Sequence, residues 1–189
     1  MKVYDLDGTL STANSTFDFI KLFHKKNNNS IRLLSAEIVR RIMNRTKMSA
    51  GLKRAVMIRM YFFGIKKSSL EDFFDTTYLE YFKTTLTELG KEVIQLENHQ
   101  SVMLTGCTSM PAEQLGQYFG FGKTISTTFH YKNDRIHKIE KDSYGNKKIP
   151  FIQEYFKQNH LALTAVTYYT DDPESEDELI KLFGNTIIV

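Results

Sequence analysis

Four groups of residues in this 189-residue chain carry side chains able to do chemistry. Asp5 and Asp7 stand in Asp5-Leu6-Asp7-Gly8-Thr9, at the end of a short strand candidate, Lys2-Val3-Tyr4-Asp5. Residues two apart along a strand point to the same side. Thr105-Gly106 ends a second apolar run, Lys148 opens a helix, and Asp171-Asp172 ends a later strand. Paired carboxylates can act as nucleophile, as general acid and base, or as holders of a hard divalent cation.

The elements between these groups decide whether they can meet. From about residue 15 to 95 the apolar spacing is helical: Ile31, Leu34, Ile38 and Ile42, then Leu52, Ala55, Val56 and Met60, then Leu70, Phe73, Phe74, Tyr78 and Phe82. Asn27 to Ser30, Gly51 and Gly64 mark breaks, and Ser68 with Glu71 reads as a capping box, so the stretch predicts roughly four helices. The pattern then changes. Ser101–Thr105 predicts a buried strand, Pro111–Phe119 a helix closed by Gly120, and 124–131 with 135–140 a hairpin turning at Asn133-Asp134. Pro150–Gln158 predicts a helix, Leu163–Tyr169 a strand, 177–183 a helix and Asn185–Val189 a final strand. Strands alternating with helices argue for a parallel sheet covered on both faces. The first strand must join that sheet, which makes the helical stretch an insertion. Ligands of such sheets sit beyond the carboxyl ends of the strands, where three of the four groups lie.

Composition narrows the class. Hydrophobic residues make up 41% and charged residues 25%, which suits a folded globular chain. No run approaches the roughly 20 apolar residues of a membrane span. One cysteine, Cys107, excludes an intramolecular disulfide and favours a reducing, cytoplasmic setting. The first motif begins at Asp5, which leaves no room for a signal peptide. Net charge is +3, yet residues 24–67 hold twelve Lys/Arg and one acid, Glu37, so this segment is +11 and the remainder −8.

Asp5-Leu6-Asp7-Gly8-Thr9-Leu10 resembles, at every position, the opening motif of the haloacid dehalogenase-like (HAD) phosphatases. Those proteins continue with a strand-terminal Ser/Thr, a Lys, and acids after a late strand, the order of Thr105, Lys148 and Asp171 here. With a helical insertion after the first motif, the chain resembles subfamily IB, the phosphoserine phosphatase-like and phosphatidylglycerophosphatase C-like branch. Ser11–Phe19, Tyr61-Phe62-Phe63-Gly64, Leu104-Thr105-Gly106 and Tyr169-Thr170-Asp171 share that likeness. The resemblance implies an α/β fold: a three-layer Rossmann-like HAD core from residues 1–13 and 97–189, and a helical C1-type cap from 14–96.

The same resemblance implies a Mg²⁺-dependent phosphomonoester hydrolase working through an aspartyl phosphate. Asp5 is the implied nucleophile and Asp7 the group that protonates the leaving oxygen. Thr105, Gly106 and Lys148 hold the phosphoryl group. The metal falls to Asp5, Asp7 through its carbonyl, and Asp171, with Asp172 as the alternative. Lys148 is preferred over Lys147 for its spacing from Gly145. The chain departs from the branch at Ser175, where an acid is usual, and at Asn14, where phosphoserine phosphatases carry a Glu. Lipid or sugar phosphates are therefore favoured over phosphoserine.

Plainer readings stand beside these. Cys107 reads as a buried apolar residue, the five histidines as surface or internally satisfied, and Tyr61-Phe62-Phe63 and Phe73-Phe74 as core. Asp172, Glu174, Glu176, Asp177 and Glu178 read as a solvated acidic helix start. The basic segment reads as a solvated face, as a positive field that draws an anionic substrate, or as a contact with an anionic membrane. Nucleic acid is disfavoured, since no recognition motif accompanies the basic residues. The alternative to the enzyme is a weakly active or inactive module whose basic cap binds an anionic membrane or polymer.

Overall fold

The computed structural model describes all of residues 1–189. Six strands form one sheet: β1 (Lys2–Tyr4), β2 (Val102–Thr108), β3 (Lys123–Lys132), β4 (Arg135–Lys141), β5 (Thr167–Thr170) and β6 (Asn185–Ile188). Their order is β4-β3-β2-β1-β5-β6, all parallel except β4, which runs back along β3 at the edge. The hairpin turns through Asn133 (φ 50°) and Asp134 (φ 60°), two residue types that tolerate the left-handed region.

Alternation along the central strands divides the core. Val3, Val102, Leu104 and Tyr168 face one side, where Ile152 and Phe156 of helix α8 (Ile149–Gln158) cover them with Leu179 and Phe183. Tyr4, Met103 and Cys107 face the other side and join a cluster of 27 buried residues. That cluster takes in Leu115 and Phe119 around helix α7 (Ser109–Tyr118) and continues into the inserted helices. Sheet and insertion therefore share one apolar core.

The insertion holds α1 (Ser15–Lys26), α2 (Ser30–Asn44), α3 (Ala50–Phe62), α4 (Lys67–Phe73), α5 (Leu79–Lys83) and α6 (Glu88–Ile94). Asn14, Ser49 and Thr87 cap α1, α3 and α6 by accepting from backbone amides inside each first turn. A π-helical turn, Phe74–Tyr78, joins α4 to α5 without a break. It lets Phe74 and Tyr78 both pack on Phe19 of α1.

The structure differs from the sequence expectations in definite places. Residues 163–169 are not one strand: Leu163–Ala165 form a 3₁₀ turn, and β5 starts at Thr167. Residues 177–183 are turns with a single 3₁₀ segment, Ile180–Leu182. Ser68 is not a capping residue. It lies inside α4, and its hydroxyl donates to Asp134 of the hairpin at 3.1 Å, while Glu71 pairs with Lys67 at 3.3 Å. Gly51 sits in the first turn of α3, so the break precedes it. Helix α6, not separately foreseen, is held by Gly90: a Cβ there would lie 2.1 Å from the Leu10 carbonyl oxygen.

Candidate active site

β1 lies inside the sheet; the chain passes from it to β2, β3 and β4 on one side and returns to β5 and β6 on the other. Asp5 therefore sits where strand order reverses, beside the ends of β2 and β5. Its amide still donates to the Tyr169 carbonyl at 2.9 Å, so β-pairing holds the backbone in place. Asp5 Oδ1 accepts from the Leu6 amide at 2.8 Å, and Oδ2 lies 2.9 Å from Lys148 Nζ.

After Leu6 the chain turns sharply. The Gly8 amide donates to the Ser11 carbonyl at 2.7 Å, and Leu10 donates back to Leu6 at 2.9 Å. Gly8 has φ +82°, and a Cβ on it would fall 1.8 Å from Asp171 Oδ2. Glycine is thus required twice, for the left-handed backbone and for the approach of Asp171. Asp7 Oδ1 accepts from the Ser15 amide at 3.0 Å, the first free donor of α1, where a negative charge suits the helix end.

Thr105 and Gly106 lie inside β2, which continues to Thr108 with a register shift against β3. Thr105 is buried, and its Oγ1 accepts from the Cys107 amide at 3.0 Å, leaving its own hydroxyl proton free to donate. Lys148 ends a 3₁₀ turn, Gly145–Lys148. Asn146 ties that turn to the loop after β5: its amide donates to the Ser175 carbonyl at 3.0 Å, and its Oδ1 accepts from the Leu179 amide at 3.1 Å.

Lys148 is 2% exposed, and a cation so deep requires partners. It has two carboxylates, Asp5 and Glu176. Glu176 Oε2 also accepts from Tyr168 Oη and Thr170 Oγ1, each at 2.8 Å. Glu176 is equally buried, which overturns its reading as part of a solvated acidic face; Asp177 and Glu178 are exposed as expected. Its signal in the sequence was faint, one acid among five between residues 172 and 178. Lys147, by contrast, is outside and pairs with Asp142 at 2.6 Å.

Asp5, Asp7, Thr105, Gly106, Lys148, Asp171 and Asp172 all line one cavity of about 440 Å³. The four sequence groups thus converge. Arg54 of α3 also lines it, a residue the sequence reading counted only as charge. It donates to the Gly106 carbonyl, pairs with Asp142 at 2.9 Å and lies over the Tyr144 ring. Nothing local in the sequence marks Arg54 among the twelve basic residues of its segment.

Burial lifts three carboxyls of this cavity, those of Asp5, Asp7 and Asp171. It pushes Asp5 above the usual carboxylate range, against the opposing pull of Lys148. Asp7 is pushed up to about 6 by burial, moderated by the neighbouring Ser15. Burial also raises Asp171, and the neighbouring Asp172 adds to that. Cys107 is buried with its thiol pushed well up, so it is no nucleophile.

The chain resembles known proteins in sequence family and in fold. A family model described as haloacid dehalogenase-like hydrolase matches residues 3–174. No curated protein matches the chain. A protein of unknown function from Bordetella pertussis Tohama I shares the fold with a TM-score of 0.68 at 17% identity, covering 100% of this chain and 97% of its own. A phosphoserine phosphohydrolase-like protein from Francisella tularensis superposes with a TM-score of 0.63 at 16% identity, over 100% and 87% of the two chains. A phosphoserine phosphatase holding a phospho-aspartyl intermediate analogue gives a TM-score of 0.64 at 13% identity, over 98% and 84%. At these identities the structural likeness concerns the fold.

Proposed function

The chain belongs to the haloacid dehalogenase-like hydrolases, and from that premise we propose that it hydrolyses phosphomonoesters through an aspartyl phosphate on Asp5. One observation carries the reading: Lys148, fully buried, holds Asp5 at 2.9 Å in a cavity shared with Asp7, Thr105 and Asp171. A lysine so placed orients the nucleophilic carboxylate and offsets negative charge on an incoming phosphate. Asp5 attacks phosphorus, and the ester oxygen leaves with a proton from the Asp7 carboxyl. A water then attacks the aspartyl phosphate and passes its proton to Asp7, which restores both groups. The Thr105 hydroxyl and Gly106 amide hold phosphoryl oxygens.

The donors of this cavity fit Mg²⁺. No three histidine, cysteine or acidic side chains gather as a metal cluster, but Mg²⁺ is commonly held by one or two carboxylates, water and the substrate's own phosphate. Asp5, the Asp7 carbonyl and Asp171 form such an all-oxygen set. Asp171 is preferred over Asp172 because its carboxylate has one weak partner, the Thr9 hydroxyl at 3.4 Å. Asp172 is occupied by the amide and hydroxyl of Ser175. When bound, the ion neutralises charge between the carboxylates and the phosphate.

Residues 14–96 act as the cap in this reading, and 1–13 with 97–189 as the catalytic core. Sugar or lipid phosphates are better substrates than phosphoserine. Asn14 lines the cavity with its side-chain oxygen spent on the Phe17 amide, and no acid of the inserted helices lines it to meet an ammonium. Phosphate release from a panel of alkyl, sugar, lysophospholipid and seryl phosphates tests all of this. Turnover is expected with Mg²⁺, lost on chelation, and reduced on the order of 10⁴-fold in Asp5→Asn. Undiminished turnover in Asp5→Asn would exclude the covalent route.

A further inference from the structure

Helix α2 is apolar on two faces, and only one of them has a partner. Ala36 and Met43 are buried against the core. On the opposite side Ile31, Leu34, Ile38 and Ile42 are 85%, 64%, 50% and 58% exposed. Their 3-4-4 spacing puts them in one line, about 16 Å long at the helical rise. Surface isoleucines and leucines are ordinary when scattered, but four in register over three turns form a patch.

Charge identifies the occupant. Arg41 and Arg45 fall beside the stripe on the helix surface, and Lys47 is exposed on the turn that follows. The one acid of the helix, Glu37, is held by Arg40 at 2.7 Å and Arg41 at 3.1 Å, so it offers no free negative charge. A second copy of this chain would press two such basic faces together. An anionic lipid surface instead takes up the apolar stripe below its headgroups and pairs the arginines and lysines with phosphates. No helix is long and apolar enough to cross a bilayer, so the contact lies in the interface plane.

We infer that α2 is a docking face for an anionic phospholipid bilayer, seated through Ile31, Leu34, Ile38 and Ile42 and steered by the flanking basic residues. The turn that ends α2 leads into α3, which carries Arg54 into the cavity. Docking there brings the inserted helices that border the cavity to the lipid surface. The inference does not rest on the catalytic reading, because every residue of the docking face lies outside the cavity.

The chain has no tryptophan, so Ile38→Trp introduces a single reporter. Its emission is expected to shift to the blue on adding vesicles of phosphatidylglycerol with phosphatidylcholine. Phosphatidylcholine alone should leave it unchanged. Sedimentation of the unlabelled protein with the mixed vesicles should be lost at high salt and weakened more than tenfold in Leu34→Asp/Ile38→Asp. Both positions are exposed, and an unchanged melting temperature checks that the variant folds. Asp5→Asn should bind the vesicles as the native protein does, which separates this surface from catalysis. No emission shift with anionic vesicles, or equal sedimentation of the double variant, would overturn the inference. So would a native dimer that the double variant dissolves, because the stripe would then be a contact between copies.

Discussion

Lys148 and Glu176 form a buried ion pair that shares Asp5, and the cost of that arrangement is carried by hydrogen bonds. Tyr168 and Thr170 supply two donors to one Glu176 oxygen, while Lys148 covers the other. A buried pair adds little net stability when intact, but removing one partner strands the other charge. Glu176→Ala leaves Lys148 with Asp5 alone and two hydroxyls without their acceptor. The expected loss is about 3 kcal/mol in urea unfolding, with Glu176→Gln falling between. A change under about 0.5 kcal/mol would mean that water replaces Glu176 freely. Gly8 is the second residue whose identity is set by a neighbour. Gly8→Ala forces Asp171 away from the cavity, so Mg²⁺ affinity measured by calorimetry is expected to fall on the order of 10–100-fold. Unaltered affinity would remove Asp171 from the ligand set.

Among the elements, α1 and α3 meet at His24. The ring is fully buried, its Nε2–H donates to the Tyr61 carbonyl at 2.8 Å, and Nδ1 has no partner. Burial holds His24 below its ordinary pKa, and the Arg32 guanidinium, bonded to the same carbonyl at 3.2 Å, adds to this. The folded chain therefore keeps His24 neutral at pH values where the unfolded chain protonates it. Its contribution to stability is present above the ordinary histidine value and is lost as pH falls from about 6.5 toward the lower folded value. The loss is expected to reach about 1.4 kcal/mol per pH unit across that window. His24→Gln keeps a donor for Tyr61 and should flatten this part of the curve of melting temperature against pH. An unchanged slope would assign the acid sensitivity to other groups.

At the scale of the whole molecule, the inserted helices and the sheet are joined at two places beyond their common core. Arg54 reaches Gly106 and Asp142 near the cavity. At the far end of α3, the Gly64 amide donates to Ile136 at 2.8 Å, Ile136 donates to Ile65 at 3.0 Å, and Arg135 donates to the Gly64 carbonyl at 2.7 Å. A segment anchored at both ends of one helix, over a 27-residue core, is expected to unfold with the sheet. In native-state hydrogen exchange the Gly64 and Ile136 amides are expected to open within about 1 kcal/mol of those of β2. Exchange through a much cheaper local opening would show the insertion to be a separate, hinged unit.

The elements of this fold were legible where chemistry is local. Helical spacing marked α2, α3 and the continuous run of α4 and α5, the Asn133-Asp134 turn marked the hairpin, and a short apolar run marked β2. Local signals failed where packing overrides propensity. The 177–183 stretch has helical composition, yet Asn146 accepts from its amides and Glu176 turns inward to Lys148, so only one 3₁₀ turn forms. Ser68 has the sequence of a capping residue, but Asp134 offers its hydroxyl a partner on another element.

The sequence by itself determined the four candidate groups and their order, because strand-end carboxylates and a glycine turn are specified by type and spacing; the choice of Lys148 over Lys147 came from the family resemblance. Only the tertiary structure decided which of the many charges matter. It selected Glu176 from five neighbouring acids and Arg54 from twelve basic residues, and it left one apolar face of α2 in water. Those outcomes depend on which atoms meet across the fold, and one-dimensional spacing does not contain that distance.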